Sequence, residues 1–413
     1  MHQVKIKRTF CCAVIALLLI LAPDLTRAQG FASSSSEVSN VDQPSDRRES
    51  YFTGRSIFLE NDVLFNLANE DRNYTMGLVY QSTGRWIRET YLDRPLMWAN
   101  AIMSSVFLWP CGSLCDPPAV QELVHSFQIG NSAFTPDDLD DPEPIATERP
   151  YSSLLFFGVK KQTLRGRKIR GKKRLALGTE LKVGVLGLRI SEGIQTSLHE
   201  ILRDLNGCEY SEDPENCNPV PPLGWPNQIS DGGEFTMRYT PSLQYLLKQN
   251  TSGCYNYDVQ ALGEIHAGYN TDLRVGLATR FGIINSPWWL FRPDPISEIQ
   301  ISSSQRTVSP SEARKNKTVQ NRNEIYFWGG VWSRSVAYNV LLQGQFGDSK
   351  YTVHPGDIDR LVFEAQLGLT VTRGVHTISL ALSGRSRETT LSGAGRHIWG
   401  GIYYTYSRIL ESF

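Results

Sequence analysis

Long apolar runs are missing from this chain, and their absence limits how it can meet a membrane. After residue 28 no stretch supplies the roughly 18 consecutive apolar residues that a transmembrane helix requires. Net charge is also missing, since 42 basic residues balance 42 acidic ones, which removes the bulk electrostatic argument for nucleic-acid binding. No Gly-x-Ser-x-Gly elbow and no zinc-like Cys/His spacing occur. Any insertion into a membrane must therefore use β-strands.

The N-terminus has the features of a secretory signal peptide, which we predict to span residues 1–28. Basic residues precede a short apolar run, and a small-x-small cleavage site follows. These features are Lys5, Lys7 and Arg8, the run 13–22, and Thr26-Arg27-Ala28. Residues 29–50 are serine-rich with few apolar groups, so we expect a disordered lead-in.

Five cysteines remain after cleavage, and in an oxidising compartment they are expected to act as disulfide staples. The disulfides that close the shortest loops would join Cys111 with Cys115 and Cys208 with Cys217, and Cys254 would then be unpaired.

Alternating polarity predicts an all-β protein. Residues 175–185 place mostly aliphatic side chains on one face and Gly, Glu and Lys on the other. Residues 361–372 repeat the pattern, a turn follows at Arg373-Gly374, and a second strand returns from residue 377. Such strands are compatible with a soluble β-sandwich or with a transmembrane β-barrel, depending on which of the two faces contacts water.

Three observations favour an outer-membrane antiparallel β-barrel of about twelve strands over residues 51–413. Strands are near ten residues long, the C-terminal residue Phe413 is aromatic, and aromatic residues occur at strand ends. The last group comprises Tyr326, Trp328, Trp332, Tyr403, Tyr404 and Tyr406.

Strand parity predicts which loops share one end of the barrel, if the chain enters from the periplasm. Asn61, Asp62, Thr75 and His199 then lie together at the outer end. The segment 85–120 becomes a periplasmic insertion with a short packed helix over 97–109, and 186–232 becomes an extracellular one. The basic run 165–174 falls at the periplasmic end, where a solvated turn is the simpler interpretation than a lipid A phosphate site.

The insertion 186–232 begins with a helical pattern. An apolar stripe recurs at spacings of three and four from Ile190 to Leu205, and an adjacent stripe carries Glu192, Gln195, His199 and Arg203. Alone, His199 is an ordinary exposed histidine, Asn61 and Asp62 are turn formers, and Thr75 is a strand residue. Together, amide and carboxylate oxygens suit calcium, and an imidazole can activate water.

At these residues the chain resembles the lipid A 3′-O-deacylases of Gram-negative outer membranes. The resemblance runs in order over roughly residues 52–408. It consists of Glu60-Asn61-Asp62, Asp71-x-x-Tyr74-Thr75-x-Gly77, Thr135-Pro136, Arg149-Pro150-Tyr151, Gln195-x-x-x-His199, Gly224-Trp225-x-Asn227-Gln228, and a closing strand with Gly400 and Gly401.

The resemblance implies a twelve-stranded barrel whose site lies between the wall and a helix. It also implies calcium-dependent hydrolysis of the 3′-linked acyloxyacyl ester of lipid A. His199 would be the general base, Asn61 and Asp62 would hold Ca²⁺, and Thr75 would orient water or substrate. Glu234 is a possible further ligand or a solvated strand-start carboxylate.

One segment departs from the family pattern. Where a relative would place a lysine near the substrate phosphate, residues 137–143 read Asp-Asp-Leu-Asp-Asp-Pro-Glu. The acidic segment is compatible with a different lipid A charge state, an additional cation or an altered specificity. A barrel that binds lipopolysaccharide without turnover and a porin are the alternatives to the enzyme.

Overall fold

The computed structural model describes residues 49, 51–62, 73–106, 122–139, 141–165, 174–205, 222–251, 255–293 and 323–407. The chain divides into two units. One comprises residues 1–44 and 193–221, and the other comprises 45–192 and 222–413. The predicted signal peptide, the five cysteines, residues 166–173 and Phe413 lie outside the described residues. Within the predicted lead-in only residue 49 is described, and it is buried.

Twelve strands form the larger unit, as the alternating sequence predicts. They are β1 (Gly54–Asn61), β2 (Asn73–Thr83), β3 (Glu122–Thr135), β4 (Ser152–Arg165), β5 (Leu175–Leu186), β6 (Glu234–Asn250), β7 (Asn256–Gly268), β8 (Asn270–Ile283), β9 (Glu324–Asn339), β10 (Leu361–Arg373), β11 (His376–Arg385) and β12 (His397–Ser407).

Every strand pairs antiparallel with its sequence neighbours, and β1 pairs with β12 to close the barrel. The register of this closing seam runs from Gly54 opposite Ser407 to Asn61 opposite Gly400. The predicted turn after Arg373 is confirmed, because Arg373 pairs with His376 and Gly374 has a φ of 62°. This conformation favours glycine.

The barrel is polar inside and apolar outside. On β10, Leu367 is 64% exposed, whereas the neighbouring Gln366 and Glu364 are 1% and 4% exposed. The same alternation runs through β5, where Glu180 and Lys182 are buried and Leu181 is half-buried. A soluble sandwich would show the reverse, so this pattern confirms a barrel whose outer face meets lipid.

The aromatic residues that favoured a barrel in the sequence do not all face lipid. Tyr326, Trp328, Trp332 and Tyr403 are buried and belong to the main apolar cluster of the barrel. They alternate with exposed neighbours such as Phe327, which is 64% exposed. These four rings therefore fill the lumen, and are not part of an aromatic girdle on the lipid face.

The segment after β8 fills part of the lumen. Inward-facing Gln162, Gln244 and Gln260 donate to the backbone carbonyls of Trp289, Phe291 and Trp288 at 2.5, 3.0 and 3.0 Å. Arg292 of this segment forms a 2.6 Å ion pair with Glu264 of β7.

Four α-helices complete the described part of the chain: α1 (Trp86–Glu89), α2 (Arg94–Val106), α3 (Ile190–Leu205) and α4 (Val340–Gln343). Helix α2 begins three residues before the predicted Met97, with Pro95 in its first turn, where proline is favoured. Helix α3 lies where the apolar stripe predicts it. Among the described residues no helix is long and apolar enough to cross a membrane.

Candidate functional site

The predicted site residues of β1 and β2 lie at one end of the barrel, which we name the Asp62 rim. Asn61 is the last residue of β1, Asp62 follows in a turn, and Thr75 is the third residue of β2. Because adjacent strands are antiparallel, the loops after β3, β5, β7, β9 and β11 reach the same rim. The predicted grouping of Asn61, Asp62 and Thr75 is therefore a property of the strand register.

A row of outward-facing residues near this rim is buried. Asn61 pairs with Met76, Met76 with Ala133, and Ala133 with Ser153. These four residues therefore lie side by side on the neighbouring strands β1 to β4. Their exposures are 7%, 5%, 0% and 2%. On a transmembrane barrel, outward residues at other positions meet lipid. This part of the outer wall is instead covered.

Thr75 lies at an irregularity of the β2–β3 ladder. Tyr74 pairs with Phe134 and Met76 pairs with the adjacent Ala133, so Thr75 is the extra residue of a β-bulge. Bulges bend a strand and re-aim its side chains, and they are over-represented next to active sites. The bulge lies beside Met76, the partner of Asn61.

The loop after β5 is fastened to the covered wall. The hydroxyl of Ser153 of β4 lies within hydrogen-bonding distance of two acceptors, the backbone oxygen of Leu188 at 3.0 Å and Gln228 Oε1 at 2.9 Å. Asn131 of β3 is hydrogen-bonded to Ser191, in the first turn of α3, at 3.0 Å. These contacts hold the start of α3 against the outer face of β3.

Two of the sequence motifs lock loops of this rim together. The rings of Tyr151 and Trp225 pack with centroids 5.1 Å apart. Gly224 lies so close to the Tyr151 ring that a Cβ would approach it to 2.3 Å, so a larger residue would displace the ring or the backbone. Asn227 donates to the carbonyl of Pro142 at 2.5 Å. The motifs that begin at Arg149 and Gly224 are thus structural partners.

The acidic segment 137–143 is anchored within this assembly. Leu139 is buried with Ala133, Tyr151 and Trp225, and its carbonyl accepts a 2.9 Å hydrogen bond from the backbone of Leu223. Asp137 and Asp138 remain exposed. The segment therefore presents carboxylates to the surroundings of the rim.

Glu234, a possible further cation ligand by sequence, has a structural role. Its two carboxylate oxygens accept hydrogen bonds from the Ser230 hydroxyl at 2.6 Å and from the backbone of Phe346 at 2.8 Å. These bonds tie the start of β6 to the loop after β9.

An ion pair next to the acidic segment links two rim loops. Arg149 lies 3.2 Å from Glu388, which also contacts Arg385 at 3.3 Å. Burial lowers the pKa of Arg149 to about 10, against the opposing effect of Glu388, so Arg149 stays cationic at neutral pH. Burial raises the pKa of Glu388, but Arg385 and Arg149 outweigh burial and hold this pKa below its usual value.

Glu60 is a residue that the motif contained but to which the sequence assigned no role. It is fully buried and accepts hydrogen bonds from Trp399 Nε1 at 2.9 Å and from the Tyr403 hydroxyl at 2.5 Å. Strand alternation could have placed it inside, because Phe58 and Glu60 share a face. Its partners on β12 follow only from the register of the closing seam.

His199 lies on α3, in the smaller unit, whereas Asn61 and Asp62 belong to the barrel unit. The predicted approach of His199 to Asp62 stays a prediction. The described residues contain no cluster of three or more His, Cys, Asp or Glu side chains able to hold a metal ion. Asn61 and Asp62 nevertheless offer the neutral and anionic oxygens that calcium prefers, so their chemistry fits part of a Ca²⁺ ligand set.

Comparisons with known proteins agree with the fold. A family model described as outer membrane protein LpxR matches residues 13–408. The solved structure of LpxR from Salmonella typhimurium is 16% identical, with a TM-score of 0.57, and the match covers 86% of this chain and 99% of that one.

The β-domain of the Bordetella autotransporter BrkA is 9% identical, with a TM-score of 0.37 and coverages of 86% and 99%. A comparison with curated protein sequences finds no match. Because the family model spans nearly the whole chain, this protein belongs to the family of outer membrane protein LpxR and resides in the bacterial outer membrane.

Proposed function

We propose that this chain is a calcium-dependent hydrolase that removes the 3′-linked acyloxyacyl group of lipid A. The observation that carries the proposal is the covered row from Asn61 to Ser153 on the outer wall, beside the bulge at Thr75, in a chain of the LpxR family. A site on the outer wall at this rim lies on the same side of the barrel wall as the leaflet that holds the lipid A ester.

The chemistry requires a base, an electrophile and a positioned water. His199 takes a proton from the attacking water, and Thr75 orients that water or the substrate. Asn61 and Asp62 supply part of the oxygen shell for the cation. A calcium ion held there would polarise the ester carbonyl and stabilise the negative charge that develops on its oxygen. Without a Gly-x-Ser-x-Gly elbow, direct water attack is the simpler route.

The segment after β8, which fills part of the lumen, weighs against the porin alternative. The segment around Trp289 lies among inward-facing glutamines, and Arg292 is paired with Glu264 at 2.6 Å. A porin requires a water-filled lumen for its solutes.

The test is mass spectrometry of lipid A from a Gram-negative host that lacks 3′-deacylase activity and expresses this chain. Loss of the 3′-acyloxyacyl mass is expected with the natural chain when calcium is supplied, and not after chelation. His199→Ala should abolish the loss. His376→Ala is the matched control, because His376 is exposed at the opposite end of the barrel and contacts Tyr404.

Each variant is checked for heat-modifiable migration, which reports a folded barrel. Unchanged lipid A from a folded natural chain with calcium would contradict the enzyme and favour a lipopolysaccharide-binding role. Activity retained by His199→Ala would contradict the general base.

A further inference from the structure

The segment between β2 and β3 lies against the outer wall of the barrel. Trp86 of α1 packs edge-on against Phe127 of β3, with ring centroids 6.4 Å apart. Phe127 is an outward residue, since its neighbours Ser126 and Gln128 are buried inside. Helix α1 therefore starts on the lipid-facing side of the wall.

Helix α2 continues along the same wall to β5 and β6. The side chain of Asn100 donates to Thr179 Oγ1 at 3.2 Å and accepts from the Tyr239 hydroxyl at 2.7 Å. Thr179 and Tyr239 point outward, because each lies between two buried inward residues. Polar groups on a lipid-facing wall are costly unless they are hydrogen-bonded. Asn100 is hydrogen-bonded to both of these polar groups, so the two bonds fix the position of α2 on the wall.

The wall of β5 beneath α2 is more shielded than that of β9 and β10. The outward residues of β5, such as Leu177, Leu181 and Val183, are all half-buried. On β9 and β10, away from the helix, Phe327 and Phe363 are 64% and 56% exposed. Helix α2 thus replaces part of the lipid that would otherwise contact β5.

The opposite face of α2 is apolar and exposed. Met97 and Trp98 are 51% and 74% exposed, Ile102 is also exposed, and Leu96 faces inward with no exposure. No charged residue follows Arg94 in the helix sequence. A continuous exposed apolar face of this kind marks a binding surface.

The position of α2 along the wall identifies the partner. Strand β5 begins at Leu175, at the end of the barrel remote from the Asp62 rim. Thr179 lies four residues from this end. Leu181, which pairs with Tyr239, lies six residues from it. At about 3.3 Å per residue these are roughly 13 and 20 Å along the strand. Since strands tilt by about 40°, α2 lies in the half of the hydrocarbon layer remote from the rim.

We propose that α1 and α2 form a lipid-binding collar, defined as residues 86–103, whose exposed face binds the acyl chains of glycerophospholipids in the leaflet remote from the Asp62 rim. The face continues the lipid-facing belt of β6, where Leu243 and Leu247 are exposed. Arg94, exposed and stacked on the Tyr91 ring at 4.0 Å, lies at the start of α2 and suits a lipid phosphate.

The test places the photo-crosslinking residue p-benzoylphenylalanine at position 98 of the full chain, reconstituted in vesicles of phosphatidylethanolamine and phosphatidylglycerol. Phospholipid adducts are expected at a yield close to that of the same probe at Phe327. Phe346, which is 89% exposed in the loop after β9 at the Asp62 rim, is the matched aromatic control and should give several-fold fewer adducts.

Adducts at position 98 as rare as those at position 346, or a cross-link from position 98 to a protein in native outer membranes, would overturn the proposal. If the probe variant does not fold, a second measurement tests the proposal. The fluorescence difference between the natural chain and Trp98→Phe should be quenched by brominated phospholipids and not by aqueous iodide. The reverse quenching pattern would also overturn the lipid collar.

Discussion

The Glu60 carboxylate accepts a 2.5 Å hydrogen bond from the Tyr403 hydroxyl across the seam that closes the barrel. Trp399 donates to the other carboxylate oxygen at 2.9 Å, and Gln366 of β10 donates to the Tyr403 oxygen at 3.1 Å. Asn61 and Asp62 follow Glu60 directly in the chain. The inward network of β10 and β12 thus fixes the strand end that carries the proposed calcium ligands.

Tyr403→Phe tests this link. Removal of the hydroxyl leaves a buried carboxylate with one donor fewer, which should lower the free energy of unfolding by about 1.5–3 kcal/mol. Deacylation of lipid A should also fall, because the end of β1 loosens. Urea unfolding in lipid vesicles and lipid A mass spectrometry measure the two effects.

Tyr404→Phe is the control for that change. The Tyr404 hydroxyl is hydrogen-bonded to His376 at 2.8 Å on an exposed part of the outer face, remote from the Asp62 rim. Its loss should change stability by about 0.5–1.5 kcal/mol at most and leave deacylation unaffected. Equal losses of activity in the two variants would argue against a special role for the seam.

Much of the fold could be predicted because period-two alternation is a local property. Leu367 and Gln366 already differ in polarity in the sequence, and the barrel places them outside and inside. The aromatic residues were harder to place, because an indole or phenol ring is compatible with a lipid interface and with a packed lumen. Trp328 and Trp332 face inward because they alternate on the same face as the buried Glu324 and Arg334.

The candidate site could be predicted in part for the same reason. Asn61, Asp62 and Thr75 lie at the adjacent ends of two paired strands, so strand parity groups them. The bulge at Thr75 and the bond from Tyr403 to Glu60 depend on contacts between strands distant in sequence, for which no local pattern exists. The resemblance pointed to Gly224 as a motif residue, but its contact with Tyr151 requires the folded loops.

Asp62→Asn should weaken the calcium response. Removal of one anionic ligand lowers affinity for a hard cation, so the calcium concentration for half-maximal deacylation should rise by about tenfold or more. His199→Gln should instead lower turnover with little change in that concentration. Titration of lipid A deacylation with buffered calcium separates the two outcomes.

Asp359→Asn provides the matched control for Asp62→Asn. Asp359 lies in the loop before β10, at the same rim, and pairs with Arg387 at 3.1 Å. Its calcium response should be that of the natural chain. An unchanged calcium response in a folded Asp62→Asn variant would remove Asp62 from the ligand set.

Gly224→Ala should destabilise the rim loops. The added Cβ would lie 2.3 Å from the Tyr151 ring, so the ring or the backbone has to move, at a cost of about 1–3 kcal/mol. Gly193→Ala, where a Cβ meets nothing within 4 Å, should be neutral or stabilising. Limited proteolysis and thermal unfolding compare them, and equal behaviour would contradict the proposed packing role of Gly224.

Acid should weaken the link between the rim loops through Glu388. Its pKa in the folded protein lies below the unfolded value of about 4.3. The ionised carboxylate therefore contributes stability that is fully present above about pH 4.3 and is lost as the pH falls through the folded pKa. Glu388→Gln should cost about 1–3 kcal/mol near pH 7, and the difference from the natural chain should shrink towards zero in stronger acid.

Urea unfolding followed by tryptophan fluorescence, at neutral pH and at several acidic values, measures this difference. Asp348→Asn, an exposed change in the loop after β9, should show almost none at any pH. A Glu388→Gln deficit that stays constant or grows as the pH falls would show that the stability of the natural chain does not come from the charge on Glu388. The pair with Arg149 at 3.2 Å would then be a contact without a net electrostatic contribution.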